Sequence, residues 1–235
     1  MKNLNICLKS IPVPKTKSPT VSKNQFTTRE RLLHTTESLF AKRGFGGLTL
    51  RDISSKSGTN LASAHYHFGS KEAMVMEMLK LRIRPINQKR LAYLTEAKKK
   101  SPLRPLTTFE IMRALILPIG DEIAKSPHTR KSLGQLVART FTEPENFIQT
   151  MHKRFFGEIC EVFMKELRKT HPKSTDENLY WNLHLCISSM LGALAQHRRL
   201  KDFSNGKCNE DDTNEMIERL INFVATGFEA GISRN

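Results

Sequence analysis

Between Gly44 and Glu72 the chain reads GFGGLTLRDISSKSGTNLASAHYHFGSKE, and nearly every interruption in that run marks a helix boundary. Thr49 precedes Leu50, Ile53 and Ser54, the pattern of an N-cap followed by a brief amphipathic helix. Ser57-Gly58-Thr59 ends that helix, because Gly58 has no Cβ to oppose the positive φ of a helix C-terminus. Asn60 caps a second short helix, LASAHYH, which stops before Gly69, and Ser70 caps a third, KEAMVMEMLKLR. Two helices joined by a tight glycine-containing turn form a helix-turn-helix, whose second helix enters the major groove of DNA. The run therefore predicts a partner, double-stranded DNA, along with a fold.

Charge points the same way. Residues 1–100 carry 20 Lys/Arg against 6 Asp/Glu, whereas residues 101–235 carry 18 against 17, so the net charge of +15 sits almost wholly beside the reader. Basic residues spread for solubility alone would not segregate in this way; a polyanion-binding end joined to a neutral end does. An anionic membrane is the other polyanion to weigh, but no apolar run approaches the roughly 20 residues that span a bilayer, so no membrane partner is expected.

With 38% apolar residues in 235, the chain can bury one substantial core or two smaller ones. Stretches rich in Leu, Ala, Lys and Glu, with three Tyr and one Trp, favour an all-α fold over sheet. Cys7, Cys160, Cys186 and Cys208 show no paired spacing, which fits reduced thiols in a cytoplasm better than a disulfide frame or zinc site. No convincing signal peptide precedes them. The expected location is the cytoplasm, in association with chromosomal DNA.

Residues 1–26 read as a disordered basic arm, with five lysines, Pro12, Pro14 and Pro19. Such an arm either follows the phosphate backbone or enters a minor groove, or it is a loose terminus that adds a little non-specific affinity; its lack of Arg favours the last. Residues 27–72 read as the helix-turn-helix domain, and residues 73–235 as a larger helical domain for ligand binding and dimerisation. Within the latter, Pro85 is expected to kink or divide the helix that starts at Lys71, and Pro144 to Lys169 reads as one long amphipathic segment.

The segment from about Thr27 to Leu79 resembles the DNA-binding domain of the tetracycline-repressor (TetR) family of bacterial regulators. The matching residues are Arg31-Leu32-Leu33, Leu39-Phe40, Gly44-Phe45, Leu48 to Ile53, Ser57-Gly58 and, most specifically, Tyr66-His67-Phe68-Gly69-Ser70-Lys71-Glu72. The stretches LRIRPINQKRLAYL, LVARTFTEPE and WNLHLCISSMLGAL are similar to the C-terminal domain of one subgroup, which includes some regulators of fatty-acid metabolism.

Candidate DNA-binding residues follow from both readings. Thr49 can give its hydroxyl and a helix N-terminus to a phosphate, and Arg51 in the same turn can reach phosphate or a guanine edge. Asn60, Leu61, Ala62, Ser63, His65 and Tyr66 lie on the helix that would enter the groove. The resemblance implies base-edge or thymine-methyl contacts for its exposed positions, and backbone contacts for Tyr66, His67 and Lys71. His65 departs from the Tyr common in the family, which leaves its phosphate contact open and permits a pH-dependent one. His65 and His67 stand two apart, hence on different helix faces, and no metal is expected between them. Ile53, Ala64, Leu50 and Phe68 read as domain core.

The resemblance further implies a homodimer, with Trp181–Ala195 and Met216–Phe228 supplying a four-helix interface, and a palindromic operator. Met112, Ile116, Arg139, Phe141, Phe147, Met151, Phe155 and Trp181 are the candidate ligand-binding residues, a mixture suited to a small apolar or amphipathic effector such as an acyl chain or organic acid; ordinary core packing explains the same spacing. No catalytic triad, metal cluster or nucleotide loop is visible, so neither an enzyme nor a cofactor is expected. The expectation is a transcription regulator, a repressor released by its ligand. The alternative is a constitutive architectural DNA-binding protein that has no ligand.

Overall fold

The computed structural model describes residues 26–233, so residues 1–25 of the basic arm, Cys7 included, lie outside the described residues. Those residues form eleven helices and no strand: α1 (Thr28–Arg43), α2 (Leu50–Ser57), α3 (Leu61–Phe68), α4 (Lys71–Lys100), α5 (Thr108–Ile123), α6 (Pro127–Thr140), α7 (Glu145–Phe155), α8 (Gly157–Thr170), α9 (Asp176–Ala195), α10 (Arg199–Phe203) and α11 (Thr213–Ile232). The fold is all-α, with an N-terminal helix-turn-helix unit followed by a larger helical body.

Most of the starts are fixed locally by a side chain that accepts an orphan N–H of the first turn. Thr27, Thr49 and Thr107 each close a reciprocal capping box, with Glu30, Asp52 and Glu110. Asn60, Ser70, Ser126, Thr175 and Asp212 cap α3, α4, α6, α9 and α11. Gly58 ends α2 at φ 65° and ψ 36°, while the N–H of Thr59 reaches the carbonyl of Ser54 at 3.0 Å. This is the Schellman arrangement, and it needs a residue that tolerates the left-handed conformation.

Two apolar clusters form behind these boundaries. The first joins Leu32, Leu33, Leu39 and Phe40 of α1 to Leu48, Ile53 and Ala64, and continues past residue 72 into Met74, Val75, Met76, Met78 and Leu79 of α4. Leu136 of α6 and Phe147 and Met151 of α7 complete it. Leu50 and Phe68 pack at its margin. The second cluster fills the body, from Ile111, Met112 and Ile116 of α5 through Phe163 and Leu167 of α8 to Leu183, Ile221 and Phe228 of α9 and α11.

Two expectations are corrected here. Pro85 does not divide α4, which runs unbroken from Lys71 to Lys100. Proline removes the donor to the carbonyl four residues earlier; that residue, Leu81, is half exposed, and packing against α1 and α5 carries the helix through. The segment from Pro144 to Lys169 is two helices, interrupted at Phe156, where φ and ψ are −121° and −17°. The short α10 was not foreseen from the sequence.

Candidate DNA-reading surface and adjoining cavity

The α2–turn–α3 unit stands on α1 and the start of α4. Ile53 and Ala64 point inward with no exposed surface, which turns the opposite side of α3 to solvent. On that side lie Asn60, Leu61, Ala62, His65, Tyr66 and His67, all exposed, with Ser63 half-buried beside them. Tyr66 is 87% exposed, although a tyrosine of a stable fold ordinarily buries its ring; its ring meets the edge of His67 at a centroid distance of 5.3 Å. The His65 ring bonds through Nδ1 to the carbonyl of Gly69 at 3.1 Å, so it is held at the C-terminal end of its own helix.

Thr49 and Arg51 flank this face at the start of α2. The Thr49 hydroxyl donates to Asp52 at 2.7 Å and accepts from its N–H at 3.1 Å. The hydroxyl bond lowers the Asp52 pKa. Arg51 is exposed and makes no ion pair among the described residues. Lys71 has a structural duty: its ammonium donates to the carbonyl of Phe45 at 2.9 Å and sits 4.2 Å from the centroid of the Phe45 ring. It pins the α1–α2 turn to α4.

That turn is also gripped from the body. Glu143, just after α6, accepts the N–H of Phe45 on both carboxylate oxygens, at 3.1 and 3.0 Å. Gly44 makes room for it: a Cβ there would lie 2.3 Å from Glu143 Oε1, and φ is 71°. Arg139 donates to the carbonyls of Ala41 and Lys42 at the end of α1. Phe147 of α7 stacks on Phe45 at 4.8 Å. Higher up, Glu37 of α1 accepts from Arg82 of α4 at 2.6 Å and from Ser132 of α6 at 2.6 Å. The reader is thus held by α4, α6 and α7.

The same three helices wall a cavity of about 510 Å³, together with α5, α8 and α9. Its lining is mainly aliphatic, with Ile83, Ile86, Leu115, Leu133, Met190 and Leu194 prominent. Of the eight residues expected to bind ligand, Met151 alone lines it. Met112 and Ile116 are sealed in the body core. Phe147 belongs to the N-terminal cluster, with Phe155 at its margin. Arg139 is committed to α1, and Phe141 and Trp181 are 59% and 61% exposed. Helical spacing showed that these positions face something, but not whether a neighbouring helix or a void lies opposite. Sequence reasoning missed Arg82 and Arg90, two cations of LRIRPINQKR that line the cavity; their placement on the apolar side of an amphipathic helix was the available signal.

The outer face of α9 and α11 is apolar and uncovered. Trp181, Leu185 and Phe223 are 61%, 57% and 70% exposed. A side chain at Gly192 or Gly227 on these helices would meet nothing within 4 Å.

Comparison with known proteins agrees with this geometry. The family profile described as bacterial regulatory proteins of the tetR family matches residues 32–78, and that described as the tetracyclin repressor-like C-terminal domain matches residues 113–227. The chain belongs to the tetracycline-repressor family of DNA-binding transcription regulators. Over 52 residues it is 44% identical to the HTH-type transcriptional repressor KstR2 of Rhodococcus jostii, a match spanning 22% of this chain and 26% of that protein. An uncharacterised HTH-type regulator of Lactococcus lactis is 23% identical over 84% of this chain and 96% of its own length. Among solved structures, a TetR transcriptional regulator from Legionella pneumophila superposes with a TM-score of 0.53 at 23% identity, covering 87% of this chain and 98% of that one. The ketosteroid regulator KstR2 of Mycobacterium tuberculosis gives 0.54 at 17% identity, covering 86% and 94%.

Proposed function

We propose that this regulator is a repressor that binds a palindromic operator as a homodimer and is released by a small ligand in the cavity. The observation that carries the reading is that helices α4, α6 and α7 both wall the cavity and grip α1 and the α1–α2 turn. A ligand that prefers one arrangement of these helices shifts the reader, by as much as its affinities for the two arrangements differ. The uncovered stripe of Trp181, Leu185 and Phe223 is the dimer face, because an apolar patch of this kind is costly to leave in water. Two copies related by a two-fold axis then present two α3 helices to successive major grooves.

On α3, Tyr66 and His67 contact the phosphate backbone, and Asn60, Leu61, Ala62, Ser63 and His65 face the bases. Thr49 and Arg51 hold the flanking phosphates from the N-terminus of α2. Lys71 acts chiefly by setting the turn, so its removal mixes two effects. Tyr66→Ala is the cleaner variant: it should weaken binding to all sequences alike, whereas Ser63→Ala should change the preference at particular base pairs by about 0.5–1.5 kcal/mol, the worth of one hydrogen bond. Competitive binding of each variant to a library of operator mutants measures both. A Tyr66→Ala variant as tight as wild type on every sequence would overturn the assignment of the reader face.

A further inference from the structure

The cavity wall is apolar in bulk but one-sided in charge. It includes the cations Arg82, Arg90 and Lys153, with His152 and His184, and no Asp or Glu. Arg82 is neutralised by Glu37, and Lys153 is exposed. Arg90 differs from both. It is 4% exposed, on the inward side of α4, and has no carboxylate partner among the described residues. Its Nε donates to the carbonyl of Leu115 at 2.9 Å and its Nη1 to the side-chain oxygen of Asn87 at 2.9 Å. Its Nη2 has no protein acceptor among the described residues, and it is not one of the sealed, unpartnered polar atoms. That nitrogen keeps two N–H groups available where the side chain borders the cavity. Burial draws the Arg90 pKa down to about 10, so the group is still a cation near neutrality. A buried guanidinium without a counter-ion is expensive, and the neutral partners it has do not cancel its charge.

We infer that the cavity takes a monoanionic amphiphile, a single carboxylate on an aliphatic body, with the carboxylate on Arg90 Nη2 and the chain along Ile83, Ile86, Leu133 and Met190. This deepens the reading of the cavity as the effector site and rests on it. The chemistry is specific: Arg90 is the buried cation of this wall without a carboxylate partner among the described residues, whereas Arg82 is paired with Glu37 and Lys153 is exposed. At roughly 30 Å³ for each water-sized group, the cavity holds about 17 such groups, enough for a ten-carbon acid. Asn87 links the head-group site to the reader, because its amide also donates to the carbonyl of Phe155 at 2.7 Å, at the end of α7.

The experiment is calorimetric binding of three ten-carbon probes, decanoate, 1-decanol and decyltrimethylammonium, to the full chain free of DNA. Wild type should bind decanoate about tenfold or more tighter than decanol, as a charge-assisted hydrogen bond in a buried site implies. Arg90→Met should abolish that gap, mainly by weakening decanoate, and Arg90→Lys should restore part of it. Because Arg90 has no carboxylate partner among the described residues, Arg90→Met strands no buried counter-charge; should it fail to fold, the ranking by wild type, decanoate over decanol over decyltrimethylammonium, remains decisive. Equal affinities for decanoate and decanol, or a decanoate preference that survives in Arg90→Met, overturns the inference. Operator release is read separately, so decanoate that binds through Arg90 without freeing DNA upholds the head-group assignment and counts only against the release mechanism.

Discussion

Replacing Leu185 and Phe223 together by Glu should leave a folded monomer whose affinity for operator DNA has dropped by about 10²-fold or more. Both side chains are more than half exposed, so the substitution costs the isolated subunit little. In a dimer the same positions would place four carboxylates in an apolar contact, with no counter-charge at Gly192, Gly227 or Trp181. The loss on DNA follows from geometry: once one α3 is docked, a tethered second α3 binds its half-site as an intramolecular event. Light scattering gives the mass and a DNA titration the affinity. A double variant that stays dimeric, or a monomer that binds as tightly as wild type, would remove the α9–α11 face from the interface.

The second large effect concerns the joint between reader and body. Phe147→Ala should destabilise the protein by about 3–5 kcal/mol, the usual cost of emptying a packed aromatic site. Phe147 is 6% exposed, and its ring lies 6.0 Å from that of Phe40 and 4.8 Å from that of Phe45, so its loss opens a void shared by α1, α7 and the α1–α2 turn. Phe141→Ala, at a position 59% exposed, should change stability by no more than about 0.5 kcal/mol. Urea denaturation of the pair separates a joint residue from a surface one. A Phe147→Ala variant within about 1 kcal/mol of wild type would mean that the joint repacks freely around the lost ring.

Sequence was most informative where the physics is local. Thr49, Gly58, Asn60 and Ser70 fix the ends of α2, α3 and α4 through bonds to residues within about one turn, and each stands at its expected boundary. Pro85 was misleading because a local rule met a tertiary exception: α4 packs on both of its flanks, and the unpaired carbonyl belongs to a half-exposed residue. The candidate ligand set, Met151 apart, lies outside the cavity for a different reason. Arg139, Phe141 and Phe147 lie on the ends of α6 and α7 that dock onto the reader, and helical period cannot distinguish that contact from the wall of a void. Arg90 was hidden among the basic residues near the reader, where the segregation of charge suggested DNA as their common partner. Its burial separates it from them.

The measurement that tests the DNA-reading assignment most directly is footprinting of the purified chain on genomic fragments, including DNA flanking its own gene, at two salt concentrations. A reader built on paired α3 helices predicts a sharply bounded, palindromic footprint with half-sites about one helical turn apart, present at both salts and weaker at the higher. Protection scattered over all fragments, without symmetry and abolished by the higher salt, would contradict specific reading by α3.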